Sequence, residues 1–395
     1  MRISSILTLL FVNLMILNCS QDDPVSVYDE NKAYNSNPVI ESISPAEGAL
    51  SGVDEITITG NNFSLNNEDN TIVIGQSTAE IISSSTTEIR LIAPTVTGDA
   101  LPVKVATKGA IGFSNIVNYS IKVTISRYGD FDDRLDPYAI ECDSDENLYV
   151  VDATSKQVYI VNTDGVSTSW VPLTTYTPSD MKFGPDGYLY LARTTKIINR
   201  VKAQMTKDEK WITAPGSIYC FDYDSNLGMY AGGKNDVMYY ITKEGAATNA
   251  ADYPNSIITQ IRVFGNYVYA AAIDRADNSV AVWRNPIQSA GQLGTRENWF
   301  NWTAAMDSAE IKCMTFDATG NLLIGTNDEV AMIRVASDGS WAPYYPGVLQ
   351  ATTHAIIWGN QVYAYLICRN ETNTALQGIF RVNMKTAGAP YYSRP

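Results

Sequence analysis

Histidine is all but missing from this sequence, with one residue, His354, in 395. A zinc site takes three or four nitrogen, sulfur or oxygen ligands, so a single imidazole excludes the usual His-rich centres. Cysteine is scarce too, and its five residues form no CxxC pair and no other short spacing. Cys142, Cys220, Cys313 and Cys368 each lie inside an apolar, strand-like run, which predicts buried free thiols. Positive charge is in deficit: 28 Lys and Arg against 42 Asp and Glu leave a net charge of −14. That balance excludes the basic footprint of a nucleic-acid binder and disfavours adsorption to anionic lipid. Beyond residue 17 no apolar run reaches the ~20 residues that span a bilayer. Phenylalanine, at 10, is outnumbered by 24 Tyr and 7 Trp. The latter two pair an apolar face with a polar handle, which suits partly wet binding surfaces.

What is present begins with an address. Arg2 precedes the apolar run Ile3 to Leu17, which ends in Leu17-Asn18-Cys19. Residues 1–18 resemble a bacterial lipoprotein signal peptide with Cys19 as the lipidated residue, although Asn18 replaces the small residue that normally precedes it. Ser20-Gln21-Asp22-Asp23 is similar to the acidic export tag of Bacteroidota surface lipoproteins. The resemblance implies a diacyl anchor in the outer membrane, a cell-surface location and a flexible tether over residues 19–37.

From residue 38 to 121, short alternating strands are broken by Gly, Pro and Asn turns, which predicts a small β-sandwich. The order Ile-Ser-Pro, Ile-Thr-Ile-Thr-Gly-Asn-Asn-Phe and Val-x-Ile-Gly, with a closing Ser-Asn-x-x-x-Tyr, resembles the immunoglobulin-like IPT/TIG family. Gly60, Asn62 and Phe63 match its most recognisable stretch. The resemblance implies a spacer without chemistry of its own.

Residues 122–395 repeat one phrase: an apolar strand, a tight Asp/Asn/Gly turn, then a strand carrying Leu-Tyr or Val-Tyr. Its anchors Leu148, Leu189, Met229, Val268, Leu322 and Val362 are 41, 40, 39, 54 and 40 residues apart. All-β self-similarity near that period predicts a propeller, and six copies predict six blades. Turns such as Pro185-Asp186-Gly187 resemble NHL repeats. Residues 121–130 are expected to donate a strand to the last blade and close the ring, which removes open sheet edges. The expected fold is therefore all-β, an N-terminal IPT/TIG sandwich followed by a C-terminal six-bladed, NHL-like propeller.

Two places are candidate sites. Aligning the repeats on their first strands gathers Ala139, Asp180, Ile218, Gln260, Cys313 and His354, with Tyr138 and Lys312 adjacent. Innermost strands line a propeller's channel, so Tyr138, Asp180, Gln260, Lys312 and His354 are expected at its mouth, as a ligand pocket or as groups that satisfy one another in a plugged channel. The second place is the break in the period between Trp283 and Glu310. There Arg296, Trp299, Asn301 and Trp302, flanked by Trp341, Tyr344 and Tyr345, form a candidate aromatic platform for sugar rings. Trp170 and Trp211 are instead expected to pack between blades.

Catalysis finds little support. A lone histidine lacks a nucleophile and an orienting partner. Propeller amidating lyases use several metal-binding histidines, and calcium lactonases use a Glu, Asn and Asp set of which only Asp180 and Glu141 have counterparts here. No catalytic residue, metal or cofactor is expected. The module order resembles a Bacteroidota glycan-uptake lipoprotein, which implies polysaccharide or oligosaccharide as ligand and a TonB-dependent transporter with its lid lipoprotein as partner. The alternatives are a protein-interaction or adhesion module and a metal-dependent lactonase or lyase.

Overall fold

The computed structural model describes residues 33–132, 134–174, 177–349, 352–369 and 373–394. Cys19 and residues 20–32 of the expected tether lie outside them. The tether's described end is not free: Asn35 N donates to Gly109 O at 2.8 Å and Gly112 N to Asn37 Oδ1 at 2.9 Å, so the sandwich begins before residue 38. No described helix is long and apolar enough to cross a membrane.

Residues 39 to 122 form two facing sheets. Their alternation buries Ile56, Ile58, Ile72, Ile74, Ile89, Leu91, Val103, Val105 and Ile121 in one shared core. The Gly-Asn-Asn-Phe stretch has a steric reason. A Cβ at Gly60 would sit 1.9 Å from the Val39 carbonyl oxygen. Asn62 takes φ of 63° so that Phe63 can turn back into the core, 4% exposed.

Downstream, six sheets close into a wheel, five of them four-stranded and the fourth five-stranded. Their innermost strands are Pro137–Cys142, Asp180–Phe183, Cys220–Tyr223, Ser256–Phe264, Ile311–Phe316 and Thr353–Trp358. The sixth blade takes its outermost strand from the start of the wheel, where Ile125–Arg127 pairs antiparallel with Gly378–Asn383. The ring is thus closed by hydrogen bonds between the two ends of the domain.

Strand pairing corrects the repeat alignment in two blades. In the sixth, Ala364 rather than Val362 stands opposite Trp358, so Ala355 is the counterpart of Asp180. In the third, Tyr223 faces Met229, and Ile218 ends the outermost strand of blade two, fully buried. In both blades the facing residues are six apart, as in blades one, two and five, whereas blade four shortens the turn to five. Apolar residues on either side of the true pair offered competing anchors to a reading by spacing alone.

The tyrosine of the repeated phrase has a structural partner. Tyr149 meets Trp170 edge-on at 4.9 Å, Tyr190 meets Trp211 at 4.7 Å, and Tyr269 meets Trp299 at 5.3 Å. Each pair joins a second strand to the outermost strand of its own blade, a geometry that aromatic quadrupoles favour.

The long fourth repeat is also structural. Val280–Ser289 runs on into a small hairpin with Gln292–Leu293, then Glu297–Phe300 returns as the outer strand and Trp302–Met306 forms one helical turn. Trp302 is fully buried there and donates its indole N–H to the Ala309 carbonyl at 2.5 Å. Its role as an exposed platform is overturned.

The joint between sandwich and wheel is hydrogen-bonded on both sides. Ser51 N donates to Lys122 O at 3.0 Å, and Asn383 N donates to Thr124 O at 2.8 Å. The Thr124 hydroxyl donates to Ser51 O at 2.6 Å. Val53 packs among Leu349, Tyr345 and Met384, and Asp54 pairs with Lys385.

Candidate functional site

Four of the six innermost strands carry a bulge at the same height. Pairing skips one residue between Pro137 and Ala139, Ile258 and Gln260, Ile311 and Cys313, and Thr353 and Ala355. The skipped residues are Tyr138, Thr259, Lys312 and His354. A bulge turns its extra side chain away from the ladder, here toward the axis. Together with Ser179, Asp180, Tyr219 and Gln260 they line one cavity of about 290 Å3 at the channel mouth. All five mouth residues expected from the sequence therefore come together.

Their surroundings differ. His354 is half-buried, its ring edge-on to Tyr138 at 5.2 Å. Burial first, then the positive charges of Arg369 and Lys312, lower its pKa to about 4, so it is a neutral imidazole at neutral pH. Arg369 lies over the Tyr138 ring at 5.1 Å and is held by Asp136 at 2.7 Å. Lys312 pairs with Glu310 at 2.5 Å, and the Gln260 amide donates to the Lys312 carbonyl at 2.9 Å.

Asp180 is occupied structurally. One oxygen accepts from Phe221 N of the next blade at 2.9 Å and the other meets Lys182 at 3.3 Å. Burial, only partly offset by Lys182, raises its pKa.

One layer deeper lies a second ring that the sequence alignment missed. Glu141, Lys182, Asp222 and Arg262 occupy one equivalent position in successive blades, with charges alternating in sign. Asp222 accepts from Arg262 at 2.6 Å and from Val263 N of the next blade at 2.8 Å, the same stitch that Asp180 makes. Glu141 is 3% exposed, and burial raises its carboxyl to about 6. The available signal was the residue two places beyond Ala139, Asp180, Cys220 and Gln260, charged in four consecutive repeats once blade three is set in its true register.

The far end of the channel is closed by the C-terminal segment. Gly388 bridges to Asp317, and Ala389 N donates to Phe316 O at 2.9 Å. Tyr391 stacks beneath Arg262 at 3.9 Å and shares a hydrogen bond with Thr315 at 3.0 Å. Ser393 donates to Phe183 O at 2.5 Å, and Arg394 to Trp358 O at 2.6 Å. The cavity is consequently a cup that opens at one face only.

The remaining platform residues do not form one surface. Arg296 lies over Trp283 at 4.5 Å and Tyr253 at 4.9 Å. Asn301 caps the short helix by accepting from Ala304 N, and Trp299 is half-buried against Tyr269. Trp341 is 41% exposed on an outer strand of blade five. Tyr344 and Tyr345 stack on each other at 4.2 Å in a different place, the cleft between sandwich and wheel.

Cys142, Cys220, Cys313 and Cys368 are buried and unpaired. Burial pushes the thiols of Cys142, Cys313 and Cys368 up to about 12, so they are inert at neutral pH. Among the described residues no three of His, Cys, Asp and Glu come together in a way that could hold a metal ion.

Gly60, Asn62 and Phe63 sit in the sandwich as their steric roles require, and comparison with family models agrees with them. Residues 38–121 match the IPT/TIG domain. Among solved structures, an auxiliary nutrient binding protein from Bacteroides thetaiotaomicron aligns with a TM-score of 0.55 at 11% identity, covering 89% of this chain and 98% of that one. Another auxiliary nutrient binding protein, from Bacteroides ovatus, aligns at 0.50 and 13% identity over 90% and 99%. A protein provisionally named a phosphatase, from Bacteroides thetaiotaomicron, aligns at 0.61 and 12% identity over 90% and 99%. At these identities the likeness is one of fold. No curated protein matches the chain.

Proposed function

We propose that this chain is a non-catalytic glycan-binding lipoprotein, displayed at the outer-membrane surface as an accessory to a TonB-dependent uptake system, and that it takes sugar at the channel mouth. The observation that carries this reading is convergence: Tyr138, Asp180, Gln260, Lys312 and His354, from five different blades, line a single cup of about 290 Å3. That volume is at the small end of ligand pockets and suits one or two sugar rings. Tyr138 offers a ring face, while Gln260, Lys312 and a neutral His354 offer donors and acceptors matched to hydroxyls. Two structures of similar fold bear the name auxiliary nutrient binding protein, which agrees with a capture role.

The placement of the IPT/TIG module supports display. The linking strand enters blade six at Ile125 opposite Val382, which pairs with Ala364, which pairs with Trp358. Trp358 is the end of the innermost strand remote from His354, so the sandwich joins the face away from the mouth. A tether preceding the sandwich would then hold the open face outward.

Affinity electrophoresis of the purified protein against a polysaccharide panel tests the reading. Retardation by at least one glycan is expected, abolished in Tyr138→Ala and His354→Ala and unchanged in Trp299→Ala. If none of the panel retards the wild-type protein, or if the two mouth variants bind as wild type does, glycan capture at the mouth is wrong.

A further inference from the structure

A cavity larger than the mouth lies on the other face. A cleft of about 710 Å3 separates the IPT/TIG sandwich from blades five and six, walled by Gly52, Val53 and Ile92 on one side and Tyr344, Tyr345 and Arg334 on the other. Clefts between domains are favoured ligand sites, because walls from two modules enclose more surface than either alone.

Three features make this cleft more than a packing gap. First, its walls are held in place. The Tyr344 hydroxyl donates to Met384 O at 2.9 Å and that of Tyr345 to Asn383 O at 3.0 Å. The stacked pair is therefore fixed in orientation, and little rotamer entropy is lost when a ligand packs on it. Second, apolar surface is left uncovered: Ile92 remains 37% exposed at the rim. Third, the cations in the wall are unequal. Lys385 is taken up by Asp54, whereas the exposed Arg334 has no ion-pair partner among the described residues. The acidic wall residue Asp317 is turned to its own loop, accepting from Thr319 and Asn321.

We infer that this cleft is a second carbohydrate site, specific for a sugar that carries a carboxylate. A pyranose ring packs its C–H face on Tyr344, and its carboxylate meets the Arg334 guanidinium in the bidentate geometry that planar fork favours. The inference takes from the glycan-binding reading only its class of ligand, and no residue is shared with the mouth. The two sites would let one polymer be held at opposite faces, or hold two chains at once.

Isothermal titration calorimetry with galacturonate trimer, and with maltotriose as the neutral counterpart, separates the possibilities. The trimer is expected to bind the wild-type protein more tightly than maltotriose does. Arg334→Gln should weaken the trimer at least ten-fold with an unchanged thermal unfolding midpoint. Tyr344→Phe, which keeps the ring but loses the hydrogen bond that holds it, should weaken the trimer less than Tyr344→Leu does. In the His354→Ala background, which removes binding at the mouth, Arg334→Gln should still weaken the trimer at least ten-fold. Trimer binding that survives Arg334→Gln in that background, or is abolished by His354→Ala alone, overturns the cleft site while leaving the mouth reading standing. Absence of trimer binding to the wild-type protein overturns it as well, and says nothing against neutral glycans at the mouth.

Discussion

Glu141 and His354 sit within one channel and respond to pH in opposite directions. The carboxyl of Glu141 is raised from 4.5 to about 6 by burial. The folded chain therefore holds that proton more tightly than the unfolded chain. Its contribution to stability is greatest below about pH 4.5 and is lost as pH rises through about 6, a change of about 2 kcal/mol. His354 is lowered from 6.5 to about 4 by burial and by Arg369 and Lys312, so stability falls as pH drops from about 6.5 to about 4. The two slopes oppose each other where the windows overlap. Urea unfolding of Glu141→Gln across this range should show the variant gaining on the wild type as pH rises from about 4.5 to about 6; a pH-independent difference would show that Glu141 is not perturbed. At the same scale, Trp302→Ala should cost roughly 3–5 kcal/mol, the loss expected for a large buried side chain. Chemical denaturation measures it, and a cost below about 1 kcal/mol would restore Trp302 as a surface residue.

At the scale of elements, the C-terminal segment deserves to be counted as part of the wheel. It is neither strand nor helix, yet Tyr391 and Arg394 touch residues from three blades and cover the buried Asp222–Arg262 pair. Removing one partner of a buried ion pair typically costs 3–5 kcal/mol because the other charge is stranded. Arg262→Met should show a loss of that order in thermal or urea unfolding. Arg262→Met with Asp222→Asn should recover part of it, and a double variant no better than the single one would mean that the pair is not coupled. The mouth bulges are a contrasting device: they spend ladder hydrogen bonds to aim side chains and leave the propeller's closure to the outer strands.

At the scale of the whole molecule, the sandwich and wheel are joined by Thr124 without a free linker. The amides of Ser51 and Asn383 are bonded to carbonyls on either side of it. Both should exchange slowly and together in native-state hydrogen exchange, since opening either breaks the same joint. Rapid exchange at both would indicate independent modules, and would also remove the walls of the cleft beside Arg334.

How much of this was legible in advance depends on range. The periodic phrase from Pro137 onward, the Gly-Asn-Asn-Phe stretch and the closing strand near Ile125 are local patterns, read from alternation and turn chemistry. The mouth residues were legible because a repeat puts equivalent positions at equivalent heights, and four of the five that converge lie at or beside a bulge. Trp302 was misread because a tryptophan in an irregular stretch looks the same in sequence whether it faces water or fills a blade. The ring of Glu141, Lys182, Asp222 and Arg262 was missed since pairing of alternate charges around an axis is a relation between residues about 40 apart.

The sequence by itself determined that this is an acidic, all-β chain with one histidine, a sandwich and a six-fold repeat, because composition and short-period patterning act through local backbone preference and burial. Only the tertiary structure decided which aromatics are walls and which are core, that the channel is a cup floored by the C-terminal segment, and that a second cleft lies beside Arg334. Those outcomes depend on where separate strands come to rest against each other, which no local pattern encodes.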